Sequence, residues 1–276
     1  MDTLIGLGKA GCNIVKEFSQ HPQYNCYYID SDERQEDSFF FVEKQDDCEK
    51  YEDNCPSFES FFRGIPRDVL FVVGGSGAIS GLSLRVLHEL KDKNLNVLYV
   101  QPDTQLLSDL GKKQEKVVYN VLQQYASSRL FKNLFLISNP VLEKIVDKIS
   151  ILNYHNQLNN LIVTTLHMIN VFNHSESVMD TFSSSDDTIN IATFGMVDVK
   201  ENKQKLFFPL DNLRELRYYY AINHEELEKE GDLLTNVKDN IKEGSSEEIR
   251  ASYGIYTSNY KQNYGYVMAY SSELQK

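Results

Sequence analysis

The sequence has no tryptophan, and cysteine, proline and basic residues are scarce. Four cysteines and six prolines occur in 276 residues. This number of cysteines is too small for a disulfide scaffold at this length. Cys48 and Cys55 are too far apart for a Cys-x-x-Cys metal knuckle, so no metal site is predicted. No apolar run approaches the roughly 18 residues of a transmembrane helix, and no signal-peptide pattern precedes the first apolar run. We therefore expect a cytoplasmic protein.

The scarcity of basic residues gives a net charge of −12, which argues against a nucleic-acid partner and against an anionic membrane surface. The acidic residues are concentrated in segment 31–61, which holds eleven acidic and three basic residues. Such a run is typical of a solvated loop. A loop that contacts a cation or a basic partner is the alternative interpretation.

Two glycine-rich turns are the clearest functional signal in the chain. Gly6-Leu7-Gly8-Lys9-Ala10-Gly11 belongs to the first turn and follows Thr3-Leu4-Ile5. The second, Gly74–Gly81, follows the apolar run Val69–Val73 and is expected to need a positive φ at Gly77. Glycine allows backbone N–H groups to approach phosphate oxygens, and a helix N-terminus behind the turn favours an anion. Two such turns in one sheet indicate a phosphate-bearing ligand held between them.

Apolar runs alternate with helical patterns as far as about residue 140, which predicts βαβ units. The predicted strands are Leu4–Leu7, Cys26–Ile29, Val69–Val73, Val97–Val100 and Leu134–Ile137. The predicted helices are Gly11–Phe18, Ser57–Phe62, Gly81–Leu90, Gln114–Ala126 and Val141–Ile149. The expected fold class is therefore α/β, with a Rossmann-like, mostly parallel sheet and helices on both faces. Right-handed crossovers would bring both glycine turns to the carboxyl edge of this sheet.

The pattern changes at a long apolar helix, Asn156–Phe172, which we expect to be buried on more than one face. The polar stretch Asn173–Asp187 is predicted to be a loop or a weak helix. A smaller α+β lobe follows, with strands Ile189–Val199 and Leu206–Pro209, helices Asn212–Tyr220 and His224–Glu230, and a tyrosine-rich β-hairpin of Ser252–Tyr256 and Tyr264–Tyr270. The predicted organisation is a nucleotide-binding domain (1–153), a central helix with its following loop (154–187) and a small C-terminal domain (188–276).

Four motifs occur in a meaningful order. They are Gly6–Asn13, the glycine-rich segment Val73–Gly81, Leu136-Ile137-Ser138-Asn139-Pro140-Val141-Leu142, and Tyr154–Ile162. In this order they resemble the first nucleotide loop, the GGGTGTG signature in a degenerate form, a guanine-contacting segment and the start of the central helix of the tubulin/FtsZ superfamily. The short length resembles the small tubulin-like proteins of phages or plasmids.

The resemblance implies a GTP or GDP site with Mg²⁺ as an accompanying ion. The implied nucleotide contacts are Gly8, Lys9, Ala10, Gly11, Cys12, Asn13, Gly74, Gly75, Ser76, Gly77 and Ala78. Asn139 and Asn159 would read guanine, because a planar carboxamide offers both donors and an acceptor. His155 would stack on the base.

The chain also departs from the family pattern. The family's terminal-phosphate loop falls within Glu43–Asn54, which has no glycine and six acidic residues, so a cation would be needed between them and a triphosphate. The ribose-contacting stretch, Asp103–Lys113, has no arginine. The hydrolytic Asn-x-Asp-x-x-Asp/Glu pattern is missing. Glu176 and Asp180, four residues apart, are the candidate catalytic acids, expected on one helical face.

The resemblance implies head-to-tail filaments of this chain, with GTP hydrolysis at the interface between subunits. The few residues after the last predicted strand indicate no C-terminal adaptor peptide. Two other interpretations stay open. The first is a Rossmann NAD(P)-binding oxidoreductase, since Gly6, Gly8 and Gly11 fit G-x-G-x-x-G and Asp30 follows at the place of a ribose-binding acid. The second is a degenerate tubulin-like module that binds partners without hydrolysis or polymerisation.

Overall fold

The computed structural model describes residues 1–146, 150–182, 190–201, 203–229 and 233–276. Its backbone contacts divide the chain into two compact units, Met1–Val163 and Thr164–Lys276. We call them unit 1 and unit 2.

Unit 1 is built on parallel strands. They are β1 (Thr3–Leu7), β2 (Asn25–Asp30), β3 (Phe39–Phe41), β4 (Asp68–Gly74), β5 (Asn94–Gln101) and β6 (Asn133–Ser138). The strands lie in the order β3-β2-β1-β4-β5-β6, and every neighbouring pair is parallel. All five residues of β1 are buried, as expected of a parallel strand with both faces covered. The predicted α/β class and parallel sheet are confirmed.

The helices of unit 1 follow its strands along the chain. They are α1 (Gly8–Phe18), α2 (Cys48–Asp53), α3 (Ser83–Glu89), α4 (Asp109–Ser127), α5 (Asn139–Val146) and α6 (Tyr154–Phe172), the last continuing into unit 2. Short 3₁₀ turns span Ala78–Leu82, Thr104–Leu106 and Ile151–Asn153. Leu7 pairs with Val73 and Gln101 pairs with Ser138, so the first residues of α1 and α5 emerge at one carboxyl edge together with both glycine turns.

One predicted helix of unit 1 is wrong. Residues 57–62 form turns instead of a helix. Their aromatic side chains pack on β3: the ring of Phe40 lies 4.9 Å from that of Phe58 and 5.2 Å from that of Phe61. An aromatic cluster over the sheet edge therefore replaces a helical face. The predicted helix 81–90 begins later than expected, because Gly81 belongs to a 3₁₀ turn before α3. The predicted helix end at 147–149 lies outside the described residues.

The long helix α6 is confirmed, and its burial is less complete than expected. Leu158, Ile162, Leu166 and Ile169 are all buried, one helical turn apart. The stripe 156, 160 and 164 is exposed. Within the described residues, none of the helices has the length and apolar content needed to cross a bilayer.

Unit 2 is α+β. Its strands are β7 (Met179–Asp180), β8 (Ile191–Val197), β9 (Gln204–Leu206), β10 (Leu213–Asn223), β11 (Arg250–Ser258) and β12 (Tyr264–Ser271), and its further helices are α7 (His224–Lys229) and α8 (Leu233–Gly244). The strands are ordered β8-β12-β10-β11-β7, and β9 pairs with β8. The pair β10–β11 is parallel, whereas the other pairs of this unit are antiparallel.

Two predictions for unit 2 are wrong. Residues 212–220 were expected to be helical, and they form most of β10. Alternate residues of this strand pack in one core with Val237 of α8: Leu216, Tyr218, Tyr220 and Ile222. This period of two residues is that of a β-strand and not of the predicted helix. The expected β-hairpin does not form either, because β10 lies between β11 and β12. The predicted strand 206–209 is shifted to β9. Segment 173–187, predicted as a loop or a weak helix, contains β7, and its residues 183–187 lie outside the described residues.

Candidate functional site

The two glycine turns contact each other at the carboxyl edge of unit 1. Gly8 has a φ of +68° and opens α1. A Cβ on Gly8 would lie 2.6 Å from Cγ2 of Ile79, and a Cβ on Gly74 would lie 3.0 Å from the Cβ of Ala10. A side chain at Gly8 would force Ile79 to move, and one at Gly74 would press against Ala10. The absence of side chains therefore brings the two backbone loops together, as a site that grips phosphates from two sides requires.

Other glycines of these turns serve packing. A Cβ on Gly11 would lie 2.3 Å from the carbonyl oxygen of Val72, and a Cβ on Gly75 would lie 2.0 Å from the Tyr99 hydroxyl. Gly77 is different, because the nearest heavy atom to its Cβ would be Cγ2 of Ile79 at 3.7 Å. Its φ is −83°, so the expected positive φ at Gly77 is wrong, and that conformation belongs to Gly8. The exposed Gly77 therefore borders open space.

The first turn exposes two residues and buries those on either side of them. Lys9 and Ala10 are exposed at the start of α1, and Gly11 and Cys12 are buried. The Cys12 thiol donates to the carbonyl oxygens of Gly6 (3.3 Å) and Ile29 (3.5 Å), so it faces the sheet. Burial raises the pKa of the Cys12 thiol to about 12. Cys12 is 0% exposed, so its thiol is not available to a ligand at this predicted contact.

The second turn rests on a buried polar pair that the sequence analysis missed. The N–H of Gly75 donates to the carbonyl oxygen of Val100 (3.2 Å), while Ser76 is exposed and Ala78 begins the 3₁₀ turn. Beneath Gly75, the Tyr99 hydroxyl donates to the buried Glu115 carboxylate (2.9 Å). Burial and the neighbouring carboxylate raise the pKa of Tyr99. No sequence signal pointed to this pair, since it joins β5 to α4 across sixteen positions.

The candidate base-reading residues lie in the same unit. Asn139 is the first residue of α5, directly after β6, and Asn159 is half-buried in the first half of α6. His155 stands one turn before Asn159 and is exposed, with its ring 5.1 Å from that of Tyr154. Tyr154 is part-buried, and burial together with the nearby Glu143 and Asp103 raises its pKa. Tyr154 is therefore a further aromatic residue at this edge, and the sequence motifs did not assign it a role.

If Asn139 and Asn159 read the base, replacing either with alanine should weaken GTP binding about ten- to a hundredfold. An unsatisfied buried polar partner costs roughly 1–3 kcal/mol. Titration with fluorescent GTP and ATP measures both affinity and selectivity. Asn160→Ala, an exposed carboxamide on the same helix, is the control. Equal GTP and ATP affinities in the unsubstituted protein would exclude the base-reading role.

Asn13 and Asp30 belong to one hydrogen-bonded cluster with Arg34. The Arg34 guanidinium pairs with the Asp30 carboxylate at 2.9 Å and donates to Oδ1 of Asn13 at 3.2 and 3.3 Å. The second carboxylate oxygen of Asp30 accepts from the N–H of Ser31. Asp30 is buried with both oxygens engaged, an arrangement that does not fit the ribose-binding acid of a Rossmann dehydrogenase.

The acidic segment lies against the second turn. The side chain of Asp47 caps α2, and Lys50 pairs with Asp46 at 2.7 Å. A Cβ on Gly81 would lie 2.2 Å from the carbonyl oxygen of Cys48, so α2 rests directly on the 3₁₀ turn. In the part of the chain that the structure describes, no group of three or more His, Cys, Asp or Glu side chains could hold a metal. A Mg²⁺ ion here would therefore depend on phosphate oxygens as ligands.

The expected helical arrangement of Glu176 and Asp180 is wrong. The helix α6 ends at Phe172, and Asp180 belongs to β7, which pairs with β11. The reason is backbone pairing: the N–H of Val178 donates to the carbonyl oxygen of Ile255 (2.7 Å), which extends the chain. Both acids are exposed, and the Asp180 carboxylate accepts from the Ser177 hydroxyl. They belong to unit 2, whereas the glycine turns belong to unit 1.

No protein-family model and no curated protein matches the chain. Solved structures do. TubZ from Bacillus thuringiensis serovar israelensis, in a GTPγS-form protofilament, is 12% identical with a TM-score of 0.75 over 98% of this chain and 86% of that chain. CetZ from Methanosaeta thermophila is 13% identical, with a TM-score of 0.71 over 98% of this chain and 86% of that chain. An empty FtsZ dimer from M. jannaschii is 12% identical, with a TM-score of 0.71 over 97% of this chain and 87% of that chain.

These likenesses establish the fold class: the chain has the tubulin/FtsZ fold, as the motifs implied. Among the small proteins of this fold, the chain is similar to the type III plasmid segregation protein TubZ, with a TM-score of 0.73 at 12% identity. At such identity the likeness concerns the fold alone.

Proposed function

We propose that this chain binds a guanine nucleotide, assembles head-to-tail into filaments and hydrolyses GTP where two subunits meet. The observation that carries the proposal is the contact between the two glycine turns, with Gly8 in a positive-φ conformation and open space beside Gly77. The bound nucleotide would lie with its phosphates between the turns and its base towards Asn139 and Asn159. As with other tubulin-like proteins, we expect the filament to form in the cytoplasm, that of a host if a phage encodes the chain.

Assembly is supported by exposed apolar side chains around this edge. They are Leu106 in the 3₁₀ turn after β5, Leu110 in the first turn of α4, and Ile151 and Leu152 in the 3₁₀ turn before α6. Their exposed fractions are 82%, 60%, 93% and 94%. We call these four residues the apolar edge. Isolated exposed leucines are ordinary, but four within segments 106–110 and 151–152 are typical of an interface. TubZ, which shares the fold, is solved as protofilaments and as helical filaments.

Unit 2 offers a complementary surface. Val178 and Met179 are 63% and 42% exposed and are flanked by Glu176 and Asp180. In a head-to-tail contact, the apolar edge of one subunit would meet segment 176–180 of the next. The two acids would then reach the neighbour's nucleotide and orient a water molecule towards its terminal phosphate, which makes the subunit pair the catalytic unit.

The test is a protein dilution series with GTP and Mg²⁺, followed by sedimentation and phosphate release. Turnover per molecule should rise with concentration and cross a threshold where polymer pellets. Because subunits of charge −12 repel each other, added salt or Mg²⁺ should lower that threshold.

The double variant Glu176→Ala with Asp180→Ala should abolish turnover and keep nucleotide binding. Glu247→Ala with Glu248→Ala removes the same charge from an exposed loop of unit 2 and is the matched control. Constant turnover per molecule without polymer would contradict the shared site. Nucleotide binding without turnover or polymer would favour the degenerate binding module.

A further inference from the structure

Arg34 is a basic residue in the acidic segment, and it is nearly buried. Its side chain is 13% exposed and that of Asp30, its ion-pair partner, is 4% exposed. Asp30 is the last residue of β2, and its predecessor Ile29 is level with Leu7, the last residue of β1. The ion pair therefore lies at the carboxyl edge, beside the point where Gly8 opens α1.

The contact between Arg34 and Asn13 determines the orientation of the Asn13 carboxamide. A guanidinium group has donors and no acceptor, so the Asn13 atom that faces it at 3.2 and 3.3 Å is the oxygen. The Nδ2 group of Asn13 consequently points away from Arg34. Asn13 is half-buried on α1, the helix that follows the first glycine turn.

We propose that Arg34 is a positioning residue, which holds Asn13 so that its Nδ2 group donates a hydrogen bond to the nucleotide. This corner of the site would accordingly select an acceptor atom of the ligand, such as a ribose oxygen or a ring nitrogen. The inference rests on the proposed function, because it requires a nucleotide between the turns. It also assigns a role to a residue of segment 31–61 that composition alone grouped with a solvated loop.

Arg34 acts through Asn13 and not through a phosphate. Its guanidinium is already paired with Asp30, so its charge is largely neutralised. A second bridge, from Lys16 to Glu36 at 3.0 Å, also fastens this segment to α1, in an exposed position. Both side chains join segment 31–61 to α1 or its neighbouring strand, and of the two it is Arg34 that hydrogen-bonds Asn13.

The experiment is a double-mutant cycle on GTP affinity. Asn13→Ala should weaken binding about tenfold, the cost of one hydrogen bond. Arg34→Lys keeps the charge towards Asp30 and gives up the forked contact with Asn13, so we expect a three- to tenfold loss. In the Asn13→Ala background, Arg34→Lys should cause no further loss. Lys16→Ala, which breaks the neighbouring bridge, should leave the affinity unchanged.

If the losses from Asn13→Ala and Arg34→Lys multiply, Arg34 acts independently of Asn13 and the proposal is overturned. A protein that binds no nucleotide before any substitution overturns the proposed function itself, which is a distinct outcome. If Arg34→Lys lowers the melting temperature, Asp30→Leu with Arg34→Met replaces the buried ion pair as a unit, a change that proteins often tolerate. The same cycle with Asn13→Ala then decides the question.

Discussion

Replacing Gly77 with valine should reduce nucleotide affinity more than about a hundredfold, equivalent to about 2.7 kcal/mol, and leave the melting temperature nearly unchanged. The φ of −83° at Gly77 suits valine, and a Cβ there meets only Ile79, at 3.7 Å. The added methyl groups would occupy the space that a phosphate needs. Fluorescent GTP titration and thermal unfolding measure the two quantities separately.

Two other substitutions in the glycine turns serve as comparisons for Gly77→Val. Gly77→Ala should give an intermediate loss of affinity with an intact fold. Gly11→Ala should instead destabilise the protein, because its Cβ would lie 2.3 Å from the carbonyl oxygen of Val72. Normal nucleotide binding by Gly77→Val would mean that this turn does not contact the phosphates.

Charging the apolar edge should have the second large effect. Ile151→Asp with Leu152→Asp should abolish sedimentable polymer at concentrations where the unsubstituted protein assembles, with GTP affinity within about twofold of normal. Burying each of these side chains is worth about 1.5–3 kcal/mol, so losing both raises the assembly threshold at least about a hundredfold.

Leu130→Asp is the matched control for this surface. Leu130 is 51% exposed and precedes β6, at the opposite end of the strands from the glycine turns. Assembly of Leu130→Asp should be normal. Unimpaired polymerisation of the double aspartate variant would show that the apolar edge is not at the interface.

The parallel half of the fold was predictable from sequence because its signals are local. Runs such as Val69–Val73 are apolar at every position and are bounded by turns, which suits strands covered on both faces. The tyrosine-rich segment Leu213–Asn223 carries no such boundary. Its helical and extended patterns are both plausible locally, and only packing against Val237 and pairing with two strands decide between them.

The candidate site was likewise predictable only where its signals are local. The glycine turns, Asn139 and Asn159 lie in motifs that are visible in the sequence. The cluster of Asn13 and Arg34 is not, because the two residues are 21 positions apart and meet only when β2 lies beside β1. Likewise the spacing of Glu176 and Asp180 indicated a helix, and the backbone pairing of Val178 with Ile255 made that segment extended.

The place of β12 has a consequence for synthesis on the ribosome. This strand follows all the others of unit 2 in the chain, yet it lies between β8 and β10. Until residue 271 has left the exit tunnel, β8 and β10 each keep an unpaired side that can template intermolecular pairing. Native pairing of Ile191 with Ser271 also has to close a long loop, which slows folding. Nascent chains that still lack β12 are therefore expected to be prone to aggregation when crowded polysomes bring identical edges together.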